Sequence, residues 1–562
     1  MLRLTKKRLG RVDIFIFASI FIATLLRFVL IYLHWPITNS DEGSMGLLAR
    51  HIAYNGEWPI FYYGQAYMGP IEGYIATPLF HLFGSSTFIL RLGLLPFFFL
   101  FLICMYYLTR LLFTHKLAIF TVVLLCFGSD EIIARQVKAV GEYPELVFFA
   151  AFISLIVIWL ALSSNIEQQA RTTPRRIFIY GILGLVAGIA VWVDFLVLPF
   201  LGTAIVLLWL FCRRELLSWA GLCMLAGIVI GIFPLLYYNI TSPLNQGTIA
   251  ALVGVSHTSS VKPLPFIQHI IGTLMIGIPN VTGLNPRCSA TNFPYFGTAS
   301  LHCVILQGGW GLGYLVLWAV ATFIVVGIIW RGWRGRSLRH QEWTFEERQN
   351  MIRQCGQLML LISVGGTILA YTLSSASAAF PEPTARYLEC VLVAAPATLW
   401  PLWNGLNIQR ITENWRTTIS SIIRGCLLLL VLTLFVVGTF RTFTETSDAQ
   451  KFYQQQDHVI QKLLDLGATR IYSEYWTCNR LMFQSNEKII CSVLNGNLRA
   501  GQDRYPLYHT IVRADTHPAY VFPLGVSQVT TIATKWKKDA QFHNTYQQLT
   551  FDGYVIYIPK NA

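Results

Sequence analysis

At 562 residues, 54% hydrophobic and 12% charged, the chain carries about half the charge of an average soluble protein, roughly 25%. A soluble chain of this length would need several cores under a charged surface, and that surface is missing. A net charge of +14 does not point to nucleic acid either, because the basic residues sit in short clusters between apolar runs and form no single continuous face.

In chain order, Arg3, Lys6, Lys7, Arg8 and Arg11 precede a first apolar run ending at Leu33. That run is longer than the core of a signal peptide and no small-residue cleavage site follows, which predicts an uncleaved first span. Further runs cover about 87–113, 117–128, 144–162, 177–193, 196–212, 217–238, 304–330, 358–379, 388–403 and 422–440. About eleven helices, each near the roughly 20-residue length that crosses a hydrocarbon core, predict a polytopic α-helical membrane protein.

With the N-terminus in the cytoplasm, the clusters around Arg110, Arg175, Arg213, Arg334 and Arg416 share that side, as the positive-inside rule requires. The other side then receives 34–86, 129–143, a turn at Asp194, 239–303, 380–387 and everything after Arg441. Residues 1–441 are thus read as the transmembrane domain, with 34–86 as its first external loop, and 442–562 as an extracytoplasmic domain. In this tail "DHVIQKLLDLGATRIYSEYW", "EKIICSVL", "AYVFPLG", "TTIATKWKKDAQ" and "FDGYVIYIP" alternate helical and strand patterns, which predicts a small α/β fold. Of eleven cysteines, Cys288 and Cys303 share one external loop and Cys478 and Cys491 share the tail, each pair read as a disulfide or as two buried thiols. No CxxC pair or His cluster suggests zinc.

The stretch "HWPITNSDEGSMGLLARHIAYNGEWPIFYYGQAYMGPIEGY" holds the strongest chemical signal. Asp41 and Glu42 stand side by side just after the first span, and "SMGLLARHIAYNG" reads as an amphipathic helix with Leu47, Leu48, Ile52 and Ala53 on one face. Capping by Asn39 or Ser40, with the acids favouring the positive helix end, accounts for the pair on structural grounds alone. It leaves the Tyr- and Gly-rich remainder of the loop unexplained. Other polar candidates are Glu142 and Glu145 in "GEYPELVFF", Arg386 and Tyr387 in "PTARYLECVL", and Lys262 and Arg287 in the long loop. Arg386 reads either as a residue snorkelling to the interface or as a phosphate ligand holding two oxygens at once.

Asp-Glu after the first span, followed by "LLARHIAYNGEWPIFYYGQAYMGPIEGYIATPLFHLFGSS", resembles the first external loop of the GT-C glycosyltransferases. The resemblance is to the branch related to dolichyl-phosphate-mannose protein mannosyltransferases and lipid A aminoarabinose transferases. "GEYPE" and "ARYLE" are similar to weaker features of that family, and the likeness extends to about Phe440. It implies transfer of a single sugar from a polyprenyl-phosphate donor to a lipid, glycan or protein acceptor, outside the cytoplasm and with inversion, in a multi-pass protein of a bacterial plasma membrane. It further implies Asp41 as general base with Glu42 beside it, and Glu142 or Glu145 as a second acidic position. Arg386, Tyr387 and Lys262 would hold the donor phosphate, and Tyr63, Gln65 and Tyr67 would line the cleft. No organic cofactor is implied, and a divalent cation is left open. The Trp-Trp-Asp-Tyr-Gly motif of oligosaccharyltransferases is absent from the tail; "SEYWTCNR" does not replace it.

Two rival readings remain. A flippase or transporter predicts charges along a path through the spans, yet Asp194 alone interrupts an apolar run, at an expected turn. A polysaccharide polymerase or ligase predicts a basic, His-rich external loop, and 239–303 does contain His257, Lys262, His269, Arg287 and His302.

Overall fold

The structure, a computed structural model, describes residues 11–141, 143–164, 173–252, 264–284, 300–337, 344–406 and 415–560. The chain divides into two compact units. One comprises Met1–Leu26, Pro96–Gln136 and Tyr143–Thr442; the other comprises Arg27–Leu95, Val137–Glu142 and Phe443–Ala562. Among the described residues nine helices are long and apolar enough to cross a membrane, or ten when the bent pair His115–Leu125 and Asp130–Val137 counts as one. The chain is an integral, multi-pass membrane protein.

All eleven expected segments carry helix, and two of them are built unusually. The short 117–128 run belongs to the bent pair, whose halves meet at 81°. Thr439 accepts a hydrogen bond from the Gly128 amide (3.0 Å), and Ser129 donates to the Asn280 carbonyl (2.9 Å). These bonds occupy polar groups that a broken helix exposes within an apolar surrounding. The 388–403 run begins as a 3-10 helix, Ala385–Ala394, and becomes α-helical at Ala395–Asn404. Ten residues of 3-10 helix is long for a form seldom sustained beyond three or four.

The expected long loop 239–303 holds a further apolar helical segment, Phe266–Val281. Gly272 comes so close to the Ser377 carbonyl that an added Cβ would lie 1.8 Å from it. His269, a basis for the polymerase reading, bonds through Nδ1 to the carbonyls of Thr372 and Ser374 (3.2 and 2.9 Å), at the end of the Phe345–Leu373 helix. It therefore serves a helix end. Elsewhere in this unit, Pro174–Val193 and Trp219–Thr241 pack through Gly184, Gly188, Gly227 and Gly231, where a Cβ would meet backbone atoms at 2.0–2.4 Å. Small residues of this kind let apolar helices approach closely in lipid.

The second unit is built around a five-stranded mixed sheet from the tail. Strands β1 (Arg470–Ser473), β2 (Ile490–Val493), β3 (Ala519–Pro523), β4 (Tyr546–Phe551) and β5 (Tyr554–Pro559) lie in the order β2-β1-β3-β5-β4. β1 pairs parallel with β2 and β3, and β5 pairs antiparallel with β3 and β4. The parallel pairs require crossovers, supplied by the helices Tyr475–Gln484 and Pro506–Ala514. Asp552 and Gly553, at φ 42° and 79°, form the tight β4–β5 turn. Cys478 and Cys491 are joined in a disulfide that ties the Tyr475–Gln484 helix to β2. Cys303 is also disulfide-bonded, while Cys288 lies outside the described residues.

The first loop belongs to this same unit. Met45, Leu47, Leu48 and Tyr62 share one buried core with Ile471, Leu481, Met482 and Phe483 of the tail. The Ser40–Arg50 helix is consequently buried over nearly its whole length, and both of its faces are covered. At Gly43 an added Cβ would lie 2.6 Å from the Arg480 backbone nitrogen, so only glycine permits this contact with the Tyr475–Gln484 helix.

Candidate functional site

Asn39 caps the Ser40–Arg50 helix, its side chain accepting a bond from the Glu42 amide at 3.0 Å. Asp41 and Glu42 therefore both occupy the first turn, where free amides and the helix dipole favour negative charge. One helical step of about 100° separates their directions. The two carboxylates consequently meet different partners.

Asp41 is 9% exposed. Its Oδ1 accepts from the Arg504 guanidinium (Nη2, 2.7 Å) and from the Tyr475 hydroxyl (2.6 Å). Arg504 also donates through Nε to the Tyr475 oxygen (2.6 Å) and through Nη1 to the Tyr63 carbonyl (3.2 Å). Its guanidinium carbon lies 4.7 Å from the centre of the Tyr62 ring, and the Tyr62 hydroxyl donates to the Asp41 carbonyl at 2.8 Å. Burial and the neighbouring Asp41 charge push the Tyr475 phenol up, so it remains a donor at ordinary pH. Charge-assisted bonds of this length are the strong ones.

Glu42 is fully buried and holds Arg91 in a fork, Nε to Oε1 at 2.7 Å and Nη2 to Oε2 at 2.6 Å, while Oε1 also accepts from the Ala139 amide at 3.1 Å. Burial opposes its ionisation, but the Arg91 charge and hydrogen bonds, together with Lys138 and Thr38, outweigh burial and hold the carboxyl below its usual range.

Of the expected cleft residues, Tyr63 lies in a second network. Its hydroxyl donates to Glu57 (2.8 Å) and contacts His51 Nδ1 (2.7 Å), and the other ring nitrogen of His51 contacts Glu487 (3.1 Å) and Tyr508 (3.0 Å). Gln65 and Tyr67 are half-buried in a short loop closed by the Tyr62 amide and the Met68 carbonyl at 2.8 Å. The first loop is thus joined through Tyr475, Glu487, Arg504 and Tyr508 to residues more than 400 positions later. The reading from sequence missed these tail residues. "SEYWTCNR" and "GQDRYPLY" mark Tyr475, Arg504 and Tyr508 only by pairing aromatic with basic side chains, and nothing marks Glu487.

The other unit holds the remaining described candidates. Arg386 is half-buried, its guanidinium carbon 5.3 Å from the Tyr143 ring centre and 5.5 Å from that of Tyr387. Arg135 stands over the same Tyr143 ring at 5.8 Å and pairs with Glu131 at 2.6 Å. Glu145 is fully buried in the first turn of Tyr143–Leu162. Glu142, Lys262, Arg287 and His257 lie outside the described residues. Among the described residues no group of three or more His, Cys, Asp and Glu side chains converges as a metal site would require. Asp41 is already charge-paired with Arg504, an arrangement that does not fit a divalent cation.

No family sequence model and no curated protein matches the chain by sequence. Its fold does match solved structures across nearly its whole length. ArnT from Cupriavidus metallidurans in the apo state superposes with a TM-score of 0.54 at 12% identity, covering 98% of each chain. The same protein bound to undecaprenyl phosphate gives 0.55 at 13% identity, covering 96% of this chain and 97% of that one. The apo oligosaccharyltransferase of Archaeoglobus fulgidus gives 0.51 at 14% identity, over 90% of this chain and 69% of its own. From membrane helices to C-terminal sheet, the chain has the GT-C fold.

Proposed function

We propose that this protein is a membrane glycosyltransferase that moves a single hexose or pentose from a polyprenyl-phosphate donor to an acceptor hydroxyl, on the extracytoplasmic face and with inversion. The observation that carries this reading is Asp41, a carboxylate held at a buried helix start inside a GT-C fold. The undecaprenyl phosphate bound by one structural neighbour supports the donor class. The Cys478–Cys491 disulfide supports an oxidising compartment for the tail.

In the proposed reaction the acceptor oxygen attacks the anomeric carbon, and its proton passes to the Asp41 carboxylate. The bond from that carbon to the phosphate oxygen breaks, and its electron pair leaves with the phosphate. Arg386 and Tyr387 take the phosphate, a guanidinium matching two of its oxygens. Lys262 is proposed as a further cation for it, Glu142 or Glu145 as the second acidic position, and Tyr63, Gln65 and Tyr67 as contacts to the sugar. Glu42 is assigned the support of the Asp41 turn.

Proteoliposomes containing the full chain, given radiolabelled polyprenyl-phosphate sugars, test the reading. Transfer of label to a membrane or protein acceptor is expected. Asp41→Asn should reduce it by about 10²–10⁴-fold, the usual worth of a positioned base, and Arg386→Ala should raise the donor concentration needed. Undiminished transfer by Asp41→Asn would remove the base assignment.

A further inference from the structure

We infer that Arg504 and Tyr475, contributed by the C-terminal domain, are positioning residues for the Asp41 carboxylate. On this inference the tail is a working part of the reaction centre. The inference rests on the function proposed for Asp41 and goes beyond it, because the tail would otherwise be assigned at most to acceptor recognition.

The geometry is a closed ring of three groups. Tyr475 donates to Asp41 Oδ1, Arg504 Nη2 donates to the same oxygen, and Arg504 Nε donates back to the Tyr475 oxygen. Each member thereby fixes the other two. The guanidinium is itself held by the Tyr63 carbonyl and by the Tyr62 ring, and its side chain is 8% exposed, so it cannot swing away without leaving a buried charge. Anchoring both donors on Oδ1 defines the plane of the carboxylate and so the direction in which its other oxygen points. A carboxylate on a mobile side chain would have to be oriented anew in each turnover, and prepaid orientation of a reacting group is a large part of catalysis.

The same pairing sets the proton chemistry. An adjacent guanidinium favours the ionised form of a carboxylate, the form that can accept a proton. The cost is a weaker base. Such a base suits a reaction in which the phosphate departs readily and the hydroxyl proton moves late. The Asp41–Arg504 pair is also neutral as a whole, which suits an uncharged hydroxyl as the acceptor group.

The experiment follows the pH dependence of transfer for the full-length protein and for Arg504→Gln, Arg504→Lys and Tyr475→Phe, with Asp41→Asn as reference. Removing the guanidinium makes Asp41 easier to protonate. The acid limb of kcat should therefore move to higher pH, by roughly one to three units for Arg504→Gln, and less for Arg504→Lys, which keeps the charge but loses the fork. Tyr475→Phe should move it the same way by a smaller step, with donor KM unchanged, and serves alone if Arg504→Gln fails to fold. An acid limb that stays in place in folded variants overturns the inference, and so does a rise in kcat on removing Arg504, which would make the pairing a restraint. If Asp41→Asn itself is fully active, it is the proposed function that fails.

Discussion

Asp41 and Glu42 are consecutive acids in the first turn of one helix, each paired with an arginine, and their surroundings differ in kind. Glu42 has no exposure; it fills both oxygens with the Arg91 fork and takes a backbone amide besides. Asp41 reaches the edge of the core, and its bonds to Arg504 and Tyr475 converge on one oxygen. Both oxygens of Glu42 are thus taken up by one guanidinium, whereas one oxygen of Asp41 is shared by two donors from the tail. A pair of like residues in sequence thus separates into one carboxylate enclosed by its partners and one at the edge of the core, through one helical step and the partners it meets.

The largest effect expected from breaking this contrast is on Glu42. Glu42→Ala leaves the buried Arg91 charge without its carboxylate and should destabilise the fold by about 3–5 kcal/mol, read as a lowered thermal midpoint. Asp41→Asn keeps an acceptor oxygen for Arg504 and Tyr475 but removes the charge, and should lower the midpoint by less than Glu42→Ala while losing transfer. Equal destabilisation by both would erase the distinction. Next, Gly43→Ala should cost about 1–3 kcal/mol, since its Cβ would press on the Arg480 backbone. Because that push displaces the helix bearing Tyr475, transfer should fall further than stability alone explains.

The smallest effect sharpens the comparison through pH. Burial raises the Glu487 carboxyl, but bonds from His51, Tyr508 and Arg50 outweigh it and bring the value down from 4.5 to about 2. A carboxyl depressed on folding contributes stability above its unfolded value and loses it as pH falls through the folded one. The midpoint should therefore decline between about pH 4.5 and 2, and Glu487→Gln should flatten that decline.

The membrane helices were legible because apolar runs are a local property, and so was a helix cap at Asn39 or Ser40, which the structure assigns to Asn39. The β4–β5 turn at Asp552-Gly553 was visible in "FDGYVIYIP", whereas β4 itself, "YQQLTF", carries too few apolar residues to stand out. The Phe266–Val281 helix escaped notice because it is shorter than a span, lies between prolines and contains two glycines. The Ser40–Arg50 helix read as amphipathic, since its small residues Gly43, Ser44 and Gly46 look polar in a pattern but pack like core residues when another helix arrives. Arg504 was beyond reach for a different reason. It is 463 positions from Asp41, and nothing local in "GQDRYPLY" distinguishes a buried guanidinium from a solvated one.

The bond between Cys478 and Cys491 has a bearing on when this protein becomes competent. It fastens the short helix that delivers Tyr475 onto the sheet. A freshly made molecule with both thiols reduced would hold that hydroxyl by noncovalent packing alone. Oxidation of the two thiols would then add a covalent tie to that packing.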